Sequence, residues 1–215
     1  ALPTFWVPFK SFPVTVAAIL VLPAMVAYLF SYAIFRKRVG GVYFAIVTLS
    51  LAMTATVISV GQQGQTGGAN GITDFHTMLG VDILYPSAKT VIYYVQVLTL
   101  AAVICVSIAV VRSRYGKVLI AIRDREDRVR FSGYNTAHYK AFIFAVAAVM
   151  SSIGGAFYTL QVGLIAPGVA GVVASIEMVI YAAVGGRLSV PGAVVGALLI
   201  GFAKSYLSET FPEFW

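Results

Sequence analysis

The sequence predicts an all-α fold, a polytopic transmembrane helical bundle with about six spans. Three observations carry this. The chain of 215 residues is 60% hydrophobic and 11% charged, with a mean hydropathy of +0.90, whereas a soluble domain carries about 25% charged residues. The charges are also segregated: residues 11–35, 39–73, 90–111 and 141–176 hold no Asp, Glu, Lys or Arg. Each run is long enough for a helix to cross a bilayer core, which takes about 20 residues. Backbone groups in lipid must bond internally, and the ~10-residue alternating segments of a transmembrane barrel are absent, which leaves helices.

The elements follow in order. A first span covers about 12–35, with Pro13 near its start and Pro23 inside, where the missing N–H predicts a kink. Arg36, Lys37 and Arg38 end it. A second span over about 41–60 leads into a polar, glycine-rich stretch from Gly61 to about Lys89, and a third covers about 90–111. A cationic segment, 112–140, opens with Arg112 and Arg114 and closes with His138 and Lys140. The fourth span, about 141–160, meets a turn-rich break at 161–171 containing Pro167. A shorter apolar run, 172–186, is expected either to cross or to form a broken or re-entrant helix, and a last span covers about 190–207.

Orientation follows from the cations. With 36–38 and 112–140 cytoplasmic, Arg187 also falls inside, and only Lys10, Lys89 and Lys204 fall outside. This placement accounts for the net charge of +7 without nucleic acid. Cys105 is the single cysteine, so no disulfide forms within the chain and no metal cluster is suggested. The chain starts at Ala1 with no initiator Met or recognisable signal peptide. It is expected to be a single transmembrane domain over 1–215, a fragment lacking both ends of a longer protein.

Two stretches stand out. Residues 117–132 read as a short cytoplasmic helix, preceded by Gly116 and closed by Gly133 at the position of a left-handed cap. Its spacing predicts the i,i+4 pairs Arg123–Asp127, Asp124–Arg128 and Glu126–Arg130, each adding about 0.2–0.5 kcal/mol. Together with Arg125 they make a mixed-charge surface. One reading is a solvated loop that anchors topology or binds anionic membrane lipid. The other is docking to a protein, which interleaved acids and bases favour over lipid.

The second stretch, 61–75, reads "GQQGQTGGANGITDF". It lacks the lysine and the preceding strand of a phosphate loop. It offers uncharged hydrogen-bonding groups: Gln62, Gln63, Gln65, Thr66, Asn70 and Thr73. Such a segment is either the mouth or lining of a path for a small polar solute or an ordinary external loop. Glu177 is a lone acid in an apolar run, either a functional intramembrane carboxylate or an anion held by the start of its helix. Asp74 and His76 are too few for a metal site. No nucleophilic or paired-carboxylate constellation is present, so the chain is not expected to be an enzyme or to bind a cofactor.

The segments "GGVYFAIVTLSLA" (40–52), "QTGGANGITDF" (65–75), "SRYGKVLIAIRDREDRVRFSGYNTAHYK" (113–140) and "SIEMVIYAAVGGRLSVPGAVVGALL" (175–199) occur in this order. They resemble the permease subunits of ABC importers for branched-chain amino acids and urea. The likeness covers about 40–215 and is most specific at 113–140. "GITDF", "RVRFSGYN" and the terminal "FPEFW" are more similar to the urea branch, whose members usually continue into a further hydrophobic segment. One departure is Leu188-Ser189 after Arg187, where the family more often has Gly-Thr.

The resemblance implies an ATP-driven import subunit for a small polar solute, urea or a short amide, in the bacterial inner membrane. It also implies partners: a second homologous permease subunit, two cytoplasmic ATPase subunits that use ATP and Mg, and a periplasmic solute-binding protein. Segment 112–140 would be the coupling loop. The alternatives are a branched-chain amino acid permease, an ATP-independent secondary transporter or channel using Glu177, and a structural membrane adaptor.

Overall fold

A computed structural model describes residues 11–72, 77–78, 81–82, 85–186 and 188–210. Among these, eight α-helices order as α1 (Phe12–Arg36), α2 (Gly41–Gly61), the single turn α3 (Gln63–Thr66), α4 (Pro86–Arg112), α5 (Arg114–Phe131), α6 (Thr136–Val162), α7 (Val172–Gly185) and α8 (Val190–Thr210). The two-residue strands β1 (Thr77–Met78) and β2 (Val81–Asp82) pair antiparallel, with Thr77 opposite Asp82. Six of the described stretches are long and apolar enough to cross a membrane: α1, α2, α4, α6, α8 and Pro167–Gly185, which ends in α7. The chain is a helical, multi-pass membrane protein. Its residues form two compact units, 1–167 and 168–215.

In the first unit the central contact is α1 against α6, running antiparallel. Ala27 and Ser31 on α1 and Ala141 and Ala145 on α6 are buried, each pair one helical turn apart, so small side chains let the backbones approach closely. Tyr28 Oη and His138 Nδ1 lie 2.8 Å apart across this seam. α1 runs through Pro23 without ending. Pro23 cannot donate to the carbonyl four residues back, that of Ile19, and the Ser152 hydroxyl of α6 donates to that oxygen at 2.9 Å. Neighbouring helices re-satisfy backbone groups in this way within a membrane.

No residue of α2 or α4 is buried, and their exposed Val, Leu and Ile side chains are what lipid-facing helices present. Hydroxyls inside α2 turn back onto their own helix: Ser50 donates to Ile46, Thr54 to Ser50 and Ser59 to Ala55.

In the second unit α7 and α8 form a close hairpin. A Cβ on Gly185 would run into Gly192 and Gly196, and one on Gly196 into the Tyr181 carbonyl. Glycine at both positions permits this backbone contact.

Candidate functional site

The cationic segment folds as α5, starting three residues before its expected first residue. Ser113 caps it by accepting from the Gly116 N–H at 3.2 Å. Gly116 therefore lies in the first turn, where a Cβ would collide with the Val110 and Val111 carbonyls of α4. The Tyr115 hydroxyl donates to the Tyr139 carbonyl at 2.9 Å, and burial, reinforced by Tyr139 and Tyr28, pushes its pKa up to about 12. At the other end Gly133 has φ +88°. Its N–H bonds Arg130 O at 3.0 Å while Tyr134 N–H reaches Val129 O at 3.4 Å, the paired bonds of a Schellman cap.

The interior of α5 departs from expectation. Arg125 has φ −153° and ψ 83°, which breaks the helix into two halves. The expected pairs Arg123–Asp127 and Asp124–Arg128 both span this break, so their helical spacing is lost, and neither forms. Arg123 instead pairs with its neighbour Asp124 at 3.0 Å, both side chains well exposed. Glu126–Arg130 lies wholly beyond the break and does form, at 3.1 Å.

Glu126 is the centre of a larger cluster. Its Oε1 also accepts from Thr136 Oγ1 at 3.1 Å, and its Oε2 accepts from Lys140 Nζ at 2.5 Å. The Lys140 ammonium lies 5.5 Å from the Phe35 ring centroid of α1. Phe35 in turn stacks on Phe44 of α2, which meets Phe144 edge-on. Partial burial tends to raise the Glu126 pKa, but the Lys140 hydrogen bond and charge, with Thr136 and Arg130, outweigh it and hold the carboxyl below its ordinary range. A cleft of about 500 Å³ opens beside this cluster, lined by Phe35, Arg38, Phe44, Glu126, Arg130 and Lys140 among others. One carboxylate thus ties the second half of α5 to α6 and, through Lys140, to α1. Arg123, Asp124, Arg125, Asp127 and Arg128 remain at least partly exposed.

The glycine-rich stretch is ordered by its backbone. Gly67 and Gly71 take φ +73° and +74°, and a Cβ on Gly71 would strike the Ile165 carbonyl. The next residue, Ile72, exchanges two backbone hydrogen bonds with Ile165, at 3.0 and 3.1 Å. Gln62, Gln63 and Asn70 are exposed. The Thr66 hydroxyl is turned inward onto the Ser59 and Gln62 carbonyls, at 2.5 and 2.8 Å, so its proton is spent within the fold. Gln65 contributes its backbone to α3, and Thr73 lies outside the described residues.

In the second unit Glu177 sits in the second turn of α7, past the reach of a capping role. Its carboxylate accepts from Lys204 Nζ at 3.1 and 3.2 Å and from Tyr181 Oη at 3.2 Å. A neighbouring cation, more than the helix start, is its counter-charge.

The family described as branched-chain amino acid transport system, permease component, matches residues 3–214. The chain belongs to this family. Among curated relatives, the chain is 29% identical over 127 residues to the high-affinity branched-chain amino acid transport system permease protein BraD of Pseudomonas aeruginosa, covering 57% of this chain and 41% of that protein. It is 28% identical over 131 residues to LivH of Escherichia coli, covering 59% and 42%. The ribose import permease protein RbsC of Haemophilus influenzae is 34% identical over 101 residues, covering 43% and 30%. The matched region therefore spans less than half the length of these relatives. No solved structure matches the chain.

Sequence reasoning misses several polar contacts of this chain. Thr136 and Lys140 read only as the end of a cationic segment, although they hold Glu126. Lys204 reads as an outer cation; a lone acid and a lone base in consecutive spans is the available signal. Gln96 of α4 and Gln161 of α6, which lie 2.7 Å apart, escape notice: Gln96 is an isolated amide in an apolar run, and Gln161 falls where the sequence reads as a turn-rich break.

Proposed function

We propose that the chain is the transmembrane permease subunit of an ATP-driven importer for a small polar solute, with urea as that solute. The observation that supports this best is α5: a capped, mixed-charge helix, divided at Arg125, with one face exposed and Glu126 fastened to the spans. Arg123, Asp124, Arg125, Asp127 and Arg128 dock on a cytoplasmic ATPase, and Glu126 and Arg130, with the Gly133 cap, pass its displacement to α6. ATP and Mg are used by two such ATPase subunits. A second permease subunit and a solute-binding protein complete the assembly in the inner membrane. Segment 112–140 is the coupling loop of a single permease domain.

The solute path runs by the exposed amides of Gln62, Gln63 and Asn70. Urea suits such groups because it is uncharged and both donates and accepts. Glu177, the acid a proton-coupled transporter would use, is held by Lys204 and Tyr181, which favours the ATP-driven reading. The names of BraD and LivH favour a second reading of the solute, a branched-chain amino acid.

The test is reconstitution of the full assembly in proteoliposomes. Uptake of labelled urea should require ATP and the binding protein, with leucine not competing. The triple variant Arg123→Glu, Arg125→Glu, Arg128→Glu should no longer retain the ATPase on purification. Full transport by this subunit alone on an ion gradient would overturn the importer reading, and leucine uptake in place of urea would overturn the solute.

A further inference from the structure

Gln96 and Gln161 present an arrangement that the docking helix does not explain. Each stands in an apolar helix, and Gln161 Nε2 and Gln96 Oε1 are 2.7 Å apart, linking α4 to α6. Whichever way the two amides are turned, their mutual bond spends one N–H and one acceptor site. Three N–H groups, the other carbonyl oxygen and the second acceptor site of the bonded one remain, with no further partner among the described residues. Gln161 is exposed and Gln96 half-exposed. Those groups are left open to whatever meets this face of α4 and α6.

The position of the pair matters as much as its chemistry. Gln161 is the penultimate residue of α6, four residues before Ile165. The Ile72–Ile165 bridge brings the glycine-rich stretch to this same end of α6. Exposed amides of that stretch and the interhelical amide pair therefore gather at one end of the first unit. Nothing charged belongs to the pair, so it suits a neutral ligand over an ion.

We propose that Gln96 and Gln161 form a subsite for a small, planar, neutral amide, contacted after the solute passes the glycine-rich stretch. The inference rests on the urea reading above. A urea carbonyl accepts from the remaining N–H groups of Gln96, and a urea N–H donates to the remaining Gln161 oxygen. No proton moves and no bond is made or broken. Discrimination comes from matching donors and acceptors: a ligand lacking the second NH₂ leaves a protein amide unpaired.

The complete reconstituted importer tests this. Gln96→Met and Gln161→Met keep side-chain volume and remove the amide. Each should raise the KM for urea about tenfold, as loss of a hydrogen bond to a neutral ligand does, and should narrow the preference for urea over acetamide, while the ATPase stays bound. In a Cys105→Ala background, Gln161→Cys should react with an impermeant thiol reagent and be shielded by urea. Unchanged KM and preference, or labelling that urea does not slow, would overturn the proposal. So would an equal fall in every solute's maximal rate with KM unchanged, since that marks the pair as helix adhesive. If the unaltered assembly carries no urea, the solute reading itself has failed, independently of both variants.

Discussion

Ser152→Ala isolates one polar contact between spans. In α1 the Ile19 carbonyl has lost its usual helical donor because position 23 is proline, and the Ser152 hydroxyl supplies the replacement at 2.9 Å. Removing it leaves the Ile19 carbonyl, half-buried between two apolar helices, without that donor. Interhelical hydrogen bonds in membranes measure about 0.6 kcal/mol on average and about 1.7 at most. Because Ile19 has no second side-chain donor among the described residues, the upper part applies, a cost of about 1–1.5 kcal/mol. Pro23→Ala returns the backbone N–H to Ile19, so in that background Ser152→Ala should cost under about 0.5 kcal/mol. The assay is reversible unfolding in mixed micelles with increasing SDS, run as a double-mutant cycle. Equal costs of Ser152→Ala with and without the Pro23→Ala substitution would refute the reasoning, because the hydroxyl would then be doing something other than replacing the missing N–H.

Glu126→Gln should destabilise α5 against α6 by about 1 kcal/mol, a charge-assisted contact discounted for its partial exposure. Since the Glu126 pKa is depressed below its ordinary 4.5, this contribution is complete above about that pH and disappears as pH falls through the depressed value. Thermal unfolding of wild type and variant should therefore converge in acid and differ near neutrality. Gly116→Ala should destabilise by about 1 kcal/mol despite alanine's better helix propensity, because its Cβ meets two α4 carbonyls; denaturation midpoints read this directly. Glu177→Gln and Lys204→Met should each lower the unfolding temperature slightly, with the double variant less affected than the sum, since both single changes remove the same contact.

What was legible in the sequence was local or periodic. Charge-free runs located the spans, and Gly133 announced the end of α5 because only a left-handed residue closes a helix that way cheaply. The ends of α4 and α6 run past those runs, to Pro86 and Thr136. Proline at a first turn and the Asn135 side chain, which accepts from His138 N–H at 3.3 Å, set those boundaries, not hydropathy. The break at Arg125 was hidden because every residue around it is a fair helix former. Glu126–Lys140, Gln96–Gln161 and Ile19–Ser152 were hidden for another reason. They join residues 14, 65 and 133 positions apart, and only the packing of helices brings them together.

The pairing of Ile72 with Ile165 gives α6 a mechanical meaning. This helix has 27 residues, a rigid rod of about 40 Å, gripped at its first turn by Glu126 and strapped near its far end to the glycine-rich stretch. A lever of that length turns a tilt of about 5° at one end into a travel of about 3.5 Å at the other. That travel is roughly the width of a water molecule. On the proposed coupling role of α5, a push too small to disturb the packing around Glu126 is therefore enough to shift the strapped end beside Gln161 by about that width.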